Sequence, residues 1–109
     1  MVNFDLQGRK ALVTGGARGL GAGMAQALAA AGASIVVADI LDDTGEATVQ
    51  GLRASGANAH FVHLDVTDEA QWEAAVNTTV QTLGGFDILV NNAGVEETAL
   101  VADLSLIHI

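Results

Sequence analysis

Cysteine is absent from this chain of 109 residues, and basic residues are scarce. Without cysteine the chain has neither a disulfide framework nor a thiolate metal site. Only 4 lysines and arginines stand against 13 aspartates and glutamates, which gives a net charge of −9. Nucleic-acid binding needs clustered positive charge, so the composition argues against it. The simplest interpretation is an acidic, solubilising surface, and adaptation to high salt is the alternative.

Long apolar runs are also missing. No apolar stretch approaches the length of a membrane span, so no contact with a membrane is predicted. The first residues do not resemble a secretion signal, because Asp5 comes too early and Arg9 and Lys10 come too late. These features predict a soluble, cytoplasmic protein. Half of the residues are hydrophobic, which excludes disorder and suits one small domain.

Short apolar segments alternate with helical patterns along the chain. The predicted strands are residues 10–13, 34–38, 59–64 and 87–90. Three helices are predicted between them: 19–31 before a terminating glycine, 43 to about 55 with a capping box from Asp43 to Glu46, and 67 to about 84. In the last helix, apolar residues at helical spacing are predicted to be core, namely Trp72, Val76, Val80 and Leu83. The order βαβαβαβ predicts an α/β fold of the Rossmann type, a doubly wound parallel sheet with helices on both faces.

Glycines cluster where the first predicted strand meets the first helix, in the stretch TGGARGLG from Thr14 to Gly21. A helix N-terminus attracts anions, and glycine allows the backbone to approach a phosphate closely. Gly21 and Gly23 would also let the helix pack closely against the sheet. The spacing fits neither G-x-G-x-x-G nor the P-loop, and no lysine follows, which excludes a P-loop nucleoside triphosphate site. An ordinary turn is the alternative, but the strand before it and the helix after it favour a diphosphate site.

Asp39 ends the second predicted strand, eighteen residues after Gly21. A carboxylate here can accept hydrogen bonds from an adenosine ribose, whereas a ribose 2′-phosphate would be repelled. Two unit charges ~4 Å apart repel by about 4 kcal/mol at an effective dielectric constant of ~20, or roughly a thousandfold in affinity. Arg18 opposes this preference, because a guanidinium can bind a phosphate. We expect NAD to be favoured over NADP. Capping of the next helix is the alternative role of Asp39, although Asp42 and Asp43 are better placed for it.

With these residues in place, the chain resembles the short-chain dehydrogenase/reductase (SDR) family from Leu6 to about Asp103. The resemblance rests on four motifs, which are Thr14-Gly15-x-x-x-Gly19-x-Gly21, the strand-ending Asp39, Leu64-Asp65-Val66-Thr67-Asp68 and Asn91-Asn92-Ala93-Gly94. Their wording is most similar to bacterial secondary-alcohol and hydroxysteroid dehydrogenases. The resemblance implies a dinucleotide cofactor, a small alcohol or ketone as substrate, and a homo-oligomer.

The resemblance also implies a role for each matching residue. The pyrophosphate and the adenosine ribose would be lined by Gly15, Ala17, Arg18, Gly19 and Leu20. Asp39 would hold the ribose hydroxyls, Asp65 would meet the adenine amino group and Val66 would lie beside the ring. The nicotinamide-side ribose would rest on Asn92, Ala93 and Gly94. Strand order 3-2-1-4 places this last segment at the crevice between strands one and four, where such sheets bind ligands. A plain turn at Asn91 and Asn92 is the alternative.

Catalytic residues are not found in this chain. The family supplies its proton donor and acceptor from a serine and a Tyr-x-x-x-Lys downstream of Asn-Asn-Ala-Gly. The chain has no tyrosine, its only lysine is Lys10 at the far end of the first strand, and Ser105 follows too soon. His60 and His63 lie three apart on a strand and would face opposite sides, so no metal site is predicted.

The final six residues, LSLIHI, match the translation of a transposon-end adapter used in sequencing libraries. We interpret residues 104–109 as an assembly artefact and residues 1–103 as the first part of an NAD-binding Rossmann domain, with a sheet truncated after its fourth strand. A divergent natural ending is the alternative. The leading hypothesis is therefore the cofactor-binding fragment of an NAD-dependent alcohol or ketone oxidoreductase. A stand-alone dinucleotide-binding module and an inert fragment are the rival hypotheses.

Overall fold

Parallel strands form one sheet in the computed structural model, which describes residues 5–92 and 107–108. The elements, in chain order, are β1 (Lys10–Thr14), α1 (Gly19–Ala30), β2 (Ser34–Asp39), α2 (Asp42–Ala54), β3 (Ala59–His63), α3 (Glu69–Leu83), β4 (Ile88–Asn91) and β5 (Ile107–His108). The strand order is β3-β2-β1-β4-β5. The predicted α/β fold and the order 3-2-1-4 of its first four strands are confirmed.

The two-residue strand β5 is an addition to the predicted four-stranded sheet. It pairs in parallel with β4, with Ile107 opposite Ile88 and His108 opposite Leu89. It lies in the hexapeptide that we interpreted as an artefact, whose residues 104–106 and 109 are outside the described residues. Strand β4 therefore has a neighbour on each side, β1 along its whole length and β5 along two residues.

Alternating side chains of the strands build a core on each face of the sheet. On one face, residues such as Val13 and Val37 pack with Val49 and Leu52 of α2 and with Ala25 of α1. On the other face, the buried cluster comprises Leu12, Val36, Ala38, Leu64, Trp72, Ala75, Leu83 and Leu89, of which three belong to α3. This division follows from the period of two in a strand.

The buried face of α3 differs from the predicted stripe at one position. Trp72 and Leu83 are buried and Val76 packs at the margin of the core, but Val80 is 44% exposed. Thr79 is buried instead. Its hydroxyl can leave water because it donates a hydrogen bond to the carbonyl oxygen of Ala75 at 2.8 Å. Within the described residues, no helix is long and apolar enough to cross a membrane.

Two helix starts also differ from prediction. Helix α3 begins at Glu69 rather than residue 67, and Asp68 is its N-cap, accepting a hydrogen bond from the backbone N–H of Gln71. Helix α2 begins at Asp42, one residue early, and its N-cap is Leu41, which has no capping side chain. The predicted capping box from Asp43 to Glu46 is therefore wrong. The backbone N–H of Leu41 is bound from outside the helix, by Asp39.

Candidate functional site

A cleft of about 550 Å³ opens at the carboxyl ends of the strands. It is lined by the residues that follow β1, β2, β3 and β4, since the ends of parallel strands meet at one edge of the sheet. These residues are Gly15, Arg18, Gly19, Asp39, Ile40, Leu41, Leu64, Asp65, Val66, Thr67 and Asn92. The three sequence motifs and the strand-ending aspartate thus converge on one cavity.

Most of the predicted binding residues that the structure describes line this cleft, but two do not. Ala17 is a buried residue of the glycine loop, and 68% of the surface of Leu20 is exposed. Ala93 and Gly94 lie outside the described residues. Sequence reasoning missed Ile40, Leu41, Leu64 and Thr67. Three of them directly adjoin a predicted residue in the chain, and Leu41 lies two residues after Asp39.

The glycine loop, residues 15–19, has a backbone that other residues would strain. Gly15 and Gly19 have φ of +62° and +59°, in the left-handed region. Gly21 lies against the loop so closely that an added Cβ would stand 2.1 Å from the carbonyl oxygen of Gly15 and 2.7 Å from Nδ2 of Asn92. Arg18 is the N-cap of α1, and no side chain caps this helix. The first N–H groups of α1 are therefore not taken by a capping side chain and add to the positive end of its dipole.

The carboxylate of Asp39 bridges the glycine loop and α2. One oxygen, Oδ2, accepts the backbone N–H of Ala17 at 3.1 Å, and Oδ1 accepts that of Leu41 at 3.1 Å. A carboxylate offers about four acceptor positions, so roughly two remain for a ligand. Asp39 therefore contacts the start of α2 through the N–H of Leu41, the N-cap residue, and lines the cleft at the same time.

Asp65 and Val66 are held by the start of α3. The backbone N–H of Asp65 donates to Oε1 of Gln71 at 2.7 Å, and the indole of Trp72 donates to the carbonyl oxygen of Val66 at 2.7 Å. The hydroxyl of Thr67 donates to Oδ1 of Asp65 at 2.6 Å, and its backbone N–H donates to the same atom at 3.0 Å. These two bonds lower the pKa of Asp65 below its ordinary value of 3.8, with a smaller contribution from His63. Asp65 is therefore an anion with a fixed orientation at the rim of the cleft.

A buried threonine joins the glycine loop to the end of β4. The hydroxyl of Thr14 lies 3.1 Å from Oδ1 of Asn91 and 3.3 Å from the carbonyl oxygen of Val90, and it accepts the backbone N–H of Asn92 at 3.0 Å. Nδ2 of Asn92 also approaches the carbonyl oxygen of Gly15 at 3.5 Å. Asn91 and Asn92 are thus part of a polar junction between two strands rather than a free turn.

The histidines of β3 do not form a metal site. His60 bonds to Oδ1 of Asn58 at 2.9 Å, and His63 bonds to Oδ1 of Asp42 at 2.6 Å. Among residues 5–92 no group of three or more histidine and carboxylate side chains is close enough to hold a metal ion. The cleft is lined by residues of the glycine loop, by the N-terminus of α1 and by two carboxylates, those of Asp39 and Asp65.

A parallel sheet with a glycine loop after β1 and an aspartate after β2 defines a dinucleotide-binding α/β protein of the Rossmann class. The sequence pattern described as short chain dehydrogenase matches residues 9–108, and the chain belongs to that family. The resemblance seen in the sequence is thereby confirmed.

Several curated relatives are similar over most of this chain. A 3-alpha-(or 20-beta)-hydroxysteroid dehydrogenase of Mycobacterium tuberculosis is 48% identical over 101 residues, which are 93% of this chain and 38% of the relative. A trans-4-hydroxycyclohexanecarboxylate dehydrogenase of Sinomonas cyclohexanicum is 48% identical over 99 residues, 85% of this chain and 38% of the relative. The chain therefore spans little more than a third of the length of these relatives.

Solved structures agree in fold. A hydroxysteroid dehydrogenase from Escherichia coli superposes with a TM-score of 0.82 at 39% identity, covering 84% of this chain and 38% of that one. A short chain dehydrogenase from Burkholderia cenocepacia in complex with NADP gives a TM-score of 0.78 at 41% identity, covering 93% of this chain and 42% of that one. The chain thus has the fold and family of nicotinamide-dinucleotide oxidoreductases.

Proposed function

We propose that this chain is the cofactor-binding part of a longer oxidoreductase, the parent protein, that transfers hydride between NAD(H) and a secondary alcohol or ketone. The single observation that carries the proposal is the convergence of Gly15, Gly19, Asp39, Asp65 and Asn92 on one cleft. The parent is proposed because curated relatives are more than twice as long as the part they share with this chain. Their names suggest a cyclic or steroidal secondary alcohol as substrate.

The geometry supports a specific placement of the cofactor along the cleft. Gly15, Arg18 and Gly19 would contact the pyrophosphate, together with the N-terminal N–H groups of α1. Asp65 and Val66 would contact the adenine ring, and Asn92 would contact the ribose on the nicotinamide side, continued by Ala93 and Gly94. The bound dinucleotide supplies or accepts the hydride. Neither Leu20 nor Ala17 lines the cleft. Leu20 would contribute through its backbone in the first turn of α1, and Ala17 would act indirectly, because its N–H is donated to Asp39.

The preference for NAD over NADP is the finer part of this proposal. Two backbone N–H donors fix the position of the Asp39 carboxylate in the cleft, and a ribose 2′-phosphate beside it would be repelled. Arg18 also lines the cleft and would attract that phosphate. We give Asp39 more weight, because its carboxylate is fixed and its free acceptor positions suit two ribose hydroxyls. Because a relative has been solved in complex with NADP, the affinities of this protein for the two cofactors have to be compared directly.

The experiment measures the Kd of NADH and NADPH for the parent protein and for its Asp39→Ala variant. We expect the parent to bind NADH more tightly and the variant to lose most of that preference. Repulsion between unit charges ~4 Å apart sets an upper limit of roughly a thousandfold. Asp43→Ala is the matched control, since Asp43 is an exposed acid in the first turn of α2 outside the cleft. Equal affinities in the unmodified parent would refute the preference.

Catalysis would belong to residues of the parent beyond those of this chain. The proposal includes a serine and a Tyr-x-x-x-Lys after Asn-Asn-Ala-Gly, a homo-oligomer and a cytoplasmic location. It also keeps residues 104–109 as an assembly artefact. Sequencing the gene past the codon for Asp103 tests two of these claims together, namely the catalytic residues that follow and the artefact at residues 104–109. A continuation with Tyr-x-x-x-Lys supports the enzyme, and a natural stop codon after residue 109 supports the stand-alone binding module instead.

A further inference from the structure

A closed ring of hydrogen bonds connects Asp39 to the middle of helix α2. The carboxylate of Asp39 accepts the N–H of Leu41, at the start of α2, and the N–H of Ala17, in the glycine loop. The carbonyl oxygen of Ala17 in turn accepts the hydroxyl of Thr48, which lies on α2. The ring thus joins Leu41, at the N-cap of α2, through Asp39 and Ala17 to Thr48, seven residues further along the chain.

Within the ring, the peptide groups of Ala17 are held on both sides. Asp39 takes its N–H and Thr48 supplies a donor to its carbonyl, and among residues 5–92 no other hydrogen bond is made to either group. Ala17 is buried, so its backbone groups would lack a partner if either side chain were removed. The position of Ala17 therefore depends on Thr48, and the orientation of the Asp39 carboxylate depends on Ala17.

We propose that Thr48 is a positioning residue for cofactor choice, which holds the carboxylate of Asp39 toward the ribose by fixing Ala17. Thr48 does not line the cleft and touches no part of the proposed ligand. Its effect would pass through one peptide group. The inference rests on the proposed function, because it assigns the rigidity of Asp39 to the discrimination between NAD and NADP.

The test substitutes Thr48→Val in the parent protein and measures the Kd of NADH and of NADPH. Valine keeps the shape and the helix propensity of threonine but removes the hydroxyl. Losing one net hydrogen bond should lower the preference for NADH about two- to tenfold. Thr48→Ser keeps the hydroxyl and should restore the preference. Thr44→Val, one turn earlier on the exposed side of α2, is the matched control and should leave the ratio unchanged.

A double-mutant cycle with Asp39→Ala separates positioning from general stability. If Thr48 acts through Asp39, Thr48→Val should no longer change the ratio of the two Kd values when Asp39 is alanine. A Thr48→Val variant that weakens both cofactors by the same factor would overturn the inference and leave the proposed function intact. A parent without any preference for NADH would overturn this inference together with the proposed preference for NAD, and would leave the proposed dinucleotide binding intact. Circular dichroism of each variant checks that the fold is retained.

Discussion

Substitution by alanine should lower the stability of the protein at Gly21 and raise it at Gly23, two glycines of the first turns of α1. An added Cβ at Gly21 would stand 2.1 Å from the carbonyl oxygen of Gly15, whereas one at Gly23 would meet nothing within 4 Å. Both residues lie in the same helix, two positions apart. Gly21→Ala and Gly23→Ala therefore form a matched pair in which only the contact with the glycine loop differs.

The magnitude follows from what has to move. Real Cβ contacts under 3.0 Å essentially never occur, so Gly21→Ala requires α1 and the loop to separate by about 1 Å. Overpacking of this kind costs about 1–3 kcal/mol, and a backbone oxygen cannot turn away as a flexible side chain could. Gly23→Ala meets no such contact and should gain about 0.5–1 kcal/mol from the lower entropy of the unfolded chain. The two variants should differ in free energy of unfolding by about 1–3 kcal/mol, which is the cost of the contact, because the entropy gain of the unfolded chain is common to both.

Urea unfolding of the parent protein and its two variants measures this difference. Gly21→Ala should also weaken NADH binding, because the separation moves Gly15 and Asn92, which both line the cleft. Gly23→Ala should leave the Kd unchanged. Equal stabilisation by both substitutions would refute the argument, since it would mean that the helix does not press on the loop.

Two further predictions concern the rim of the cleft and the chemistry of the isolated chain. Thr67→Val removes the hydroxyl that lowers the pKa of Asp65, so that pKa should rise toward 3.8, as carbon-detected NMR titration of Asp65 can show. The stability that the ionised carboxylate gives above its unfolded pKa is lost as the pH falls through the folded pKa; in the variant this contribution should be smaller and its loss should be complete at a higher pH. The 109-residue chain alone should show no NADH-dependent ketone reduction, because it has no tyrosine and Lys10 lies at the opposite end of β1 from Thr14. Measurable turnover by the purified chain would contradict this.

Much of the fold could be predicted because its signals are local. Apolar runs of four to six residues and helices between them specify a parallel sheet, and the predicted strands match the observed ones to within one residue at each end. The helix starts were less predictable. Leu41 has no side chain that could cap α2, and its N–H is bound by Asp39 two residues earlier, as in an Asx turn, whereas the sequence pattern predicts a capping box at the start of α2. Val80 likewise fits the helical spacing, yet Thr79 is the buried neighbour because its hydroxyl bonds within the helix.

The site was predictable where a motif lies directly at the end of a strand. Gly15, Asp65 and Asn92 follow strands and Asp39 ends one, and the topology alone brings them to one edge. The role of Ala17 could not be predicted from the sequence, because its backbone N–H binds Asp39 and its side chain does not line the cleft. The side-chain hydrogen bonds that join one element to another, such as that from Thr48 to Ala17, could not be predicted either, since they depend on which helix packs against which loop.

Those links explain how loops at an open edge can form a fixed binding surface. Each loop is fastened by a side chain that lies outside the cleft: Thr48 holds the glycine loop, Gln71 and Trp72 hold the segment of Asp65, and Thr14 holds Asn92. A loop that is already ordered loses less conformational entropy when a ligand binds, so such anchors raise affinity without contacting the ligand. Affinity for a dinucleotide should therefore depend on two sets of residues, the motif residues that touch it and the anchors behind them. Of the anchors, Thr14 belongs to a family motif, whereas Thr48, Gln71 and Trp72 do not.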